Sequence, residues 1–269
     1  MNDSVLLVDV ADRVATLTLN RPGSRNALNA ALSNALWDAV EAAGADAGVD
    51  VVVLTGSDPA FCAGVDLKEV SREAAMSAAV VPRRGPDGLH RFLPVIDKPV
   101  IGAVNGACVT GGLELALQCT FLVASDRARF ADTHARVGIL PGGGMTVLLP
   151  QAVGLRRAIE MSLTGNHVAA EEALRLGLVN HVVPHDELLP FTRRLAADLV
   201  SCDQIVVRRL LDHYRRVAAA ASTVEAHALE GLMAESQHLD REQVGGRREQ
   251  VQARGREHIR DSGNERSRE

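Results

Sequence analysis

Three short stretches of this 269-residue chain place glycine beside residues able to carry charge: Phe61-Cys62-Ala63-Gly64-Val65-Asp66-Leu67, Gly106-Ala107-Cys108-Val109-Thr110-Gly111-Gly112-Leu113-Glu114 and Arg136-Val137-Gly138-Ile139-Leu140-Pro141-Gly142-Gly143-Gly144. Each follows a run of β-forming residues, where open α/β folds place their ligand crevices. Glycine at a helix start lets a backbone N–H approach a bound oxygen closely, and the helix dipole favours negative charge there. Two such N–H groups from separate loops would make an oxyanion hole; the same glycines would also serve ordinary tight turns. Glu114 stands one helical turn beyond Gly111, on the same side as its backbone and among Leu113, Leu115, Ala116 and Leu117. In an apolar pocket its ionised form is disfavoured, which moves the carboxyl toward a useful acid–base range. Alternatively Glu114 and Gln118, four apart, form the polar face of an amphipathic helix. His134, after Phe130-Ala131-Asp132-Thr133, is either a proton carrier or a structural histidine.

Other chemistries fail on spacing. The second stretch is not Gly-x-Gly-x-x-Gly, and no Gly-Lys-Ser/Thr follows it, so dinucleotide and Walker-type sites are excluded. His181 and His185 are four apart, but Pro184 breaks any helix between them, and no metal site is expected. Cys62 has no identifiable base beside it and reads as packing. The four cysteines (Cys62, Cys108, Cys119, Cys202) form neither a disulfide framework nor a zinc motif. A net charge of −5 argues against nucleic acid as the main partner. No basic region followed by an apolar stretch opens the chain, and no run approaches about 18 apolar residues. A cytoplasmic protein without a membrane partner is expected.

The elements that must position these residues read as α/β. Val5 to Val8 and Val14 to Leu19 are strands joined by a tight turn at Asp12-Arg13. In the second, Ala15, Leu17 and Leu19 alternate with threonines, which predicts a half-buried strand. Ser24 or Asn26 is expected to cap a helix carrying Leu28, Leu32, Leu36 and Val40, with Gly44 at its end. The continuous runs Val51 to Leu54, Val100 to Val104 and Phe121 to Ala124 predict strands buried on both faces, and Gly111 to Cys119 predicts a short helix. Alternating strands and helices imply parallel pairing. Residues 72–88, rich in proline and glycine, read as a loop. No solenoid-type repeat is visible. Residues 1–190 are expected to form the core and 191–269 a helical C-terminal region, ending in an Arg/Glu-dense tail that frays from residue 241.

On an ordered set of motifs the chain resembles the crotonase, or enoyl-CoA hydratase/isomerase, family. The set comprises Leu19-Asn20-Arg21-Pro22, Asn26-Ala27-Leu28-Asn29, Phe61 to Lys68, Lys98 to Gly106, Gly111-Gly112-Leu113-Glu114-Leu115-Ala116, Gly138-Ile139-Leu140-Pro141-Gly142 and Gly177-Leu178-Val179-Asn180. The resemblance spans roughly residues 5 to 185, with a looser helical fit beyond. It implies a spiral of ββα turns followed by a helical trimerisation region, assembled as a homotrimer or dimer of trimers. It also implies an acyl-CoA thioester substrate whose enolate is stabilised, with no cofactor beyond the CoA of the substrate itself. The hole would be the backbone N–H groups of Val65 and Gly111. Arg25, Ala27, Ala63, Asp66, Leu67 and Lys68 would contact substrate, Arg25 and Lys68 at the phosphates.

Glu114 matches the first catalytic carboxylate of the hydratases. Where they carry a second, this sequence has His134, with Asp132 a nearby substitute. The expected activity is hydration of a 2-trans-enoyl-CoA, with Glu114 activating water and His134 assisting or positioning it. The alternatives are double-bond isomerisation or other enolate chemistry, and an acyl-CoA-binding protein of low turnover.

Overall fold

The computed structural model describes residues 4–67, 82–85, 87–235, 247–248 and 251–256. In chain order the strands are β1 (Leu6–Ala11), β2 (Val14–Leu19), β3 (Val51–Gly56), β4 (Ala60–Cys62), β5 (Arg83–Arg84), β6 (His90–Arg91), β7 (Val100–Val104), β8 (Ala107–Val109), β9 (Phe121–Ser125), β10 (Arg129–Ala131), β11 (Val168–Ala169) and β12 (His181–Val183). The helices are α1 (Ala30–Ala45), α2 (Gly111–Leu117), α3 (His134–Val137), α4 (Met145–Val153), α5 (Leu155–Thr164), α6 (Ala170–Arg175), α7 (Leu188–Val200), α8 (Gln204–Ala218) and α9 (Thr223–Glu235).

β1 and β2 pair as a hairpin from Leu6↔Leu19 to Ala11↔Val14. Asp12 and Arg13 between them take φ of 49° and 64°, the backbone of a type I′ turn whose twist matches the strands. The six-stranded sheet runs β1-β2-β3-β7-β9-β12, and every pairing after the hairpin is parallel. Its middle strands are buried on both sides. Val51, Val53, Ile101, Ala103 and Val123 pack with Leu188 and Ala196 of α7, while Val52, Leu54, Val100 and Val104 join the main core. β2 is more buried than its alternation suggests, because Thr16 shares with Val14 the face that α7 covers.

A second, smaller sheet runs β11-β10-β8-β4, with β4, β8 and β10 parallel. The chain therefore alternates between sheets, β7 to β8 to α2 and then β9 to β10 to α3, which is the expected ββα spiral. The parallel small-sheet strands have three residues each and β11 has two, too short for a sequence period to mark them. Compact units divide between Leu211 and Asp212, and α7 lies in the first. In the second unit, α9 has no buried residue among those described. The loop expected over 72–88 and the tail after 241 lie mostly outside the described residues.

Two local expectations are corrected. The cap of α1 is Asn29, whose side chain accepts the Leu32 N–H at 3.0 Å. Asn26 is instead fully buried with φ 55°, its amide donating to the carbonyls of Ser57 and Ala60 and its oxygen accepting the Arg21 N–H. Gly44 lies inside α1, where a Cβ would sit 2.7 Å from Ile96, so it serves packing rather than termination.

The end of α1 is closed by Lys98, only 1% exposed, whose ammonium donates to the carbonyls of Ala43 and Asp46 at 2.7 Å each. A cation at a helix C-terminus meets both the orphan carbonyls and the negative end of the dipole. Lys98→Met is expected to cost about 1.5–3 kcal/mol, the usual range for hydrogen bonds to a charged group, read as a lower urea midpoint at unchanged slope.

Candidate active site

Each parallel strand of the small sheet ends in one part of a single pocket. Beyond β4 lie Ala63, Gly64 and Val65; beyond β8, Thr110 and Gly111; beyond β10, Asp132, Thr133 and His134. The crevice thus sits at strand C-termini, as expected, though the strands are the short ones rather than the long buried runs.

The first two ends converge. A Cβ built on Gly111 would lie 3.4 Å from the Val65 nitrogen, so the two amides are neighbours. The first loop is held by a parallel bridge: Leu28 N–H donates to Gly64 O at 2.7 Å and Asp66 N–H to Leu28 O at 2.9 Å. That pairing leaves the Val65 N–H outside it. Gly111 opens α2, where an N–H has no partner within the helix. Among the described residues neither amide donates to another protein group. Thr110 turns the chain into α2 at φ 55°, ψ −115°, a strained conformation for a branched residue. It is fixed by its N–H to Ala131 O at 2.8 Å and by a 2.6 Å contact between the Thr110 and Thr133 hydroxyls.

Glu114 is 2% exposed and faces this pair from α2. Its Oε1 accepts the N–H groups of Gly143, at 2.7 Å, and Met145, at 3.2 Å. Burial pushes its carboxyl above the ordinary range, assisted by the charge of Asp132, and the two N–H bonds and His134 reverse this only in part. Its Oε2 lies 3.8 Å from His134 Nε2. The opposite ring nitrogen, Nδ1, is 2.6 Å from Asp132 Oδ1, which also accepts the His134 backbone N–H. Burial alone would raise the Asp132 carboxyl; the hydrogen bonds from His134, with the nearby Ser162 hydroxyl, outweigh it and hold the group below the ordinary carboxylate range. Asp132 is therefore the partner of His134 and not a replacement for it.

The pocket, about 190 Å³, is walled by apolar side chains including Val65, Leu67, Phe92, Val137, Ile139 and Leu140. Ala63 and Leu67 line it. Arg25, Ala27 and Asp66 do not line it: Arg25 is exposed, Ala27 is buried, and the Asp66 carboxylate meets Arg21 at 3.0 Å. Arg21 also donates to Ala27 O, and Ala63 N–H to Arg25 O at 3.0 Å, so these residues brace the first loop. Lys68 lies outside the described residues. Cys62 is fully buried and its thiol is pushed up to about 12, which fits packing rather than attack. His185 bonds Ser125 and Asp58, and no group of three metal-binding side chains occurs among the described residues.

Sequence reasoning missed the residues that hold Glu114 in place. Gln118 is one: its carbonyl accepts the N–H groups of Phe92 and Leu93 at 2.9 Å each, and its amide donates to Gly143 O at 2.8 Å. Gly143 is the other, since a Cβ there would strike Phe92 at 2.5 Å and Glu114 Cδ at 3.1 Å. The run of three glycines at 142–144 was the available signal.

The model of the enoyl-CoA hydratase/isomerase family matches residues 9–253. The chain belongs to this family. A crotonyl-CoA hydratase of Syntrophomonas wolfei is 38% identical over 204 residues, covering 76% of this chain and 78% of that protein. A 2,3-dehydroadipyl-CoA hydratase of Escherichia coli is 37% identical over 234 residues, covering 86% and 91%. Among solved structures, an enoyl-CoA hydratase from Mycobacterium smegmatis superposes with a TM-score of 0.72 at 51% identity, covering 86% of this chain and 97% of that one. The crotonase-type fold expected from the motifs is thus the fold of this family member. Among its described residues no helix is long and apolar enough to cross a membrane.

Proposed function

We propose that this family member is an enoyl-CoA hydratase, adding water across the double bond of a 2-trans-enoyl-CoA thioester. The observation that carries the reading is the convergence of the Val65 and Gly111 amides beside a buried carboxylate and an imidazole. The names of its relatives support it.

The thioester oxygen would lie between the two N–H groups. Water oxygen bonds to the β-carbon, the alkene electrons move toward the carbonyl, and the fixed dipoles stabilise the charge that collects there. Glu114 Oε2 takes one proton from the water, and the α-carbon regains that proton from the same carboxyl. Atoms balance as thioester plus water, and no cofactor is consumed. Arg25 and Lys68 are proposed to meet the CoA phosphates.

The test is loss of the conjugated thioester absorbance with enoyl-CoAs of varied chain length. Turnover supports the reading. Tight binding without turnover on 2-enoyl or 3-enoyl substrates would replace it with a CoA-thioester-binding protein, and interconversion of the two alkenes with an isomerase.

The proposal includes a cytoplasmic homotrimer or dimer of trimers. Leu155, Ile159 and Leu163, spaced four apart on α5, are 64%, 48% and 72% exposed, an apolar stripe of the sort that subunit contacts cover. Light scattering is expected to give three or six chain masses; a monomer would refute it.

A further inference from the structure

We propose that Asp132 is a positioning residue that fixes His134 as its Nδ1–H tautomer, leaving Nε2 as a bare acceptor aimed at Glu114 Oε2. The inference rests on the hydratase reading for its kinetic consequence but not for its structural content.

The geometry leaves each proton-handling group one free atom. Glu114 Oε1 is occupied by Gly143 and Met145, so Oε2 remains. His134 Nδ1, 2.6 Å from Asp132 Oδ1, must be the protonated nitrogen, since a carboxylate only accepts. Oδ1 is held in place by accepting the His134 backbone N–H as well, at 3.2 Å, across the single residue Thr133. With Nδ1 committed, the neutral ring presents a lone pair at Nε2. The Nε2–Oε2 separation of 3.8 Å is too long for a hydrogen bond. It suits one water that donates a hydrogen to each acceptor. Both hydrogens are then taken, and the water's lone pairs are left for an electrophilic carbon. The other tautomer would place an N–H against the water, occupy a lone pair and weaken the nucleophile. The choice of ring nitrogen is therefore a choice between an activated and a blunted water, and it is set by a residue touching neither substrate nor water.

The tautomer is read by ¹⁵N–¹H correlation of the imidazoles in the whole protein, with His134→Gln identifying the signal among nine histidines. Wild type is expected to show Nδ1–H. Asp132→Ala removes the acceptor and is expected to give Nε2–H, with kcat lowered about 10²-fold and KM within about twofold. Asp132→Asn keeps an oxygen facing both N–H groups and is expected to restore the tautomer and most of kcat. An Nε2–H signal in wild type, an unchanged signal in Asp132→Ala, or a switched signal with unchanged kcat would each overturn the proposal. If no enoyl-CoA is hydrated, the hydratase reading fails while the spectra still decide the tautomer.

Discussion

Glu114→Gln is expected to lower hydration by about 10²–10⁴-fold, the range for loss of a positioned acid–base group, while raising thermal stability. Both effects follow from one fact: the carboxylate is 2% exposed. Glutamine keeps an oxygen for the Gly143 and Met145 N–H groups, so the pocket keeps its shape, but it cannot take a proton from water. The sign of the stability effect comes from the titration. Burial raises the folded-state value above the unfolded one, so the favourable contribution exists below the unfolded value and is lost as pH rises through the folded value. Near pH 7 the ionised side chain therefore works against folding, and glutamine relieves it. In a protein of this size 1 kcal/mol corresponds to about 2–4 °C in Tm. The wild-type rate should also fall in acid through a limb above the ordinary glutamate range of about 4.3. A variant that is inactive but less stable would contradict this account of the site.

Gly112→Ala is expected to disable the pocket from beneath. A Cβ there would meet Cys62 O at 2.1 Å and Cys62 C at 2.8 Å, both main-chain atoms that cannot rotate away. Strand β4 must then move from α2, carrying with it Val65 three residues on. One donor of the hole shifts while the other stays. A displacement near 1 Å is enough to cost about 10² in rate, and losing one donor outright costs about 10²–10³. Overpacking adds about 1–3 kcal/mol of destabilisation. The control is Gly23→Ala, where a Cβ would meet nothing within 4 Å. The defect should fall on kcat, measured with folded protein well below its melting range. A Gly112→Ala enzyme with wild-type kcat would show that the amides need not stay in register.

What could be read in advance follows from where the information lies. Val51 to Leu54 and Val100 to Val104 declare themselves because β-branched residues run without interruption, and both faces are indeed buried. Glu114 is legible because a carboxylate among leucines is conspicuous. The Val65 and Gly111 amides are not legible from residue type, since a main-chain N–H is common to nearly every residue; only the ordered motifs single them out. From sequence Asp132 reads merely as a possible stand-in. Its pairing with His134 depends on the backbone of Thr133, at φ −101° and ψ 13°, which folds two side chains two residues apart against each other. The strain at Thr110 is hidden for a related reason, because threonine ordinarily avoids the conformation that the contact with Thr133 enforces.

The three parallel strands of the small sheet give this scaffold a division of labour. On the proposed function, two tips supply the seat for oxygen from main-chain atoms, which substitution rarely alters. The third supplies a side chain, which one codon can change. A substitution at the third tip can thus alter the chemistry while the main-chain seat stays fixed, without rebuilding what holds the substrate.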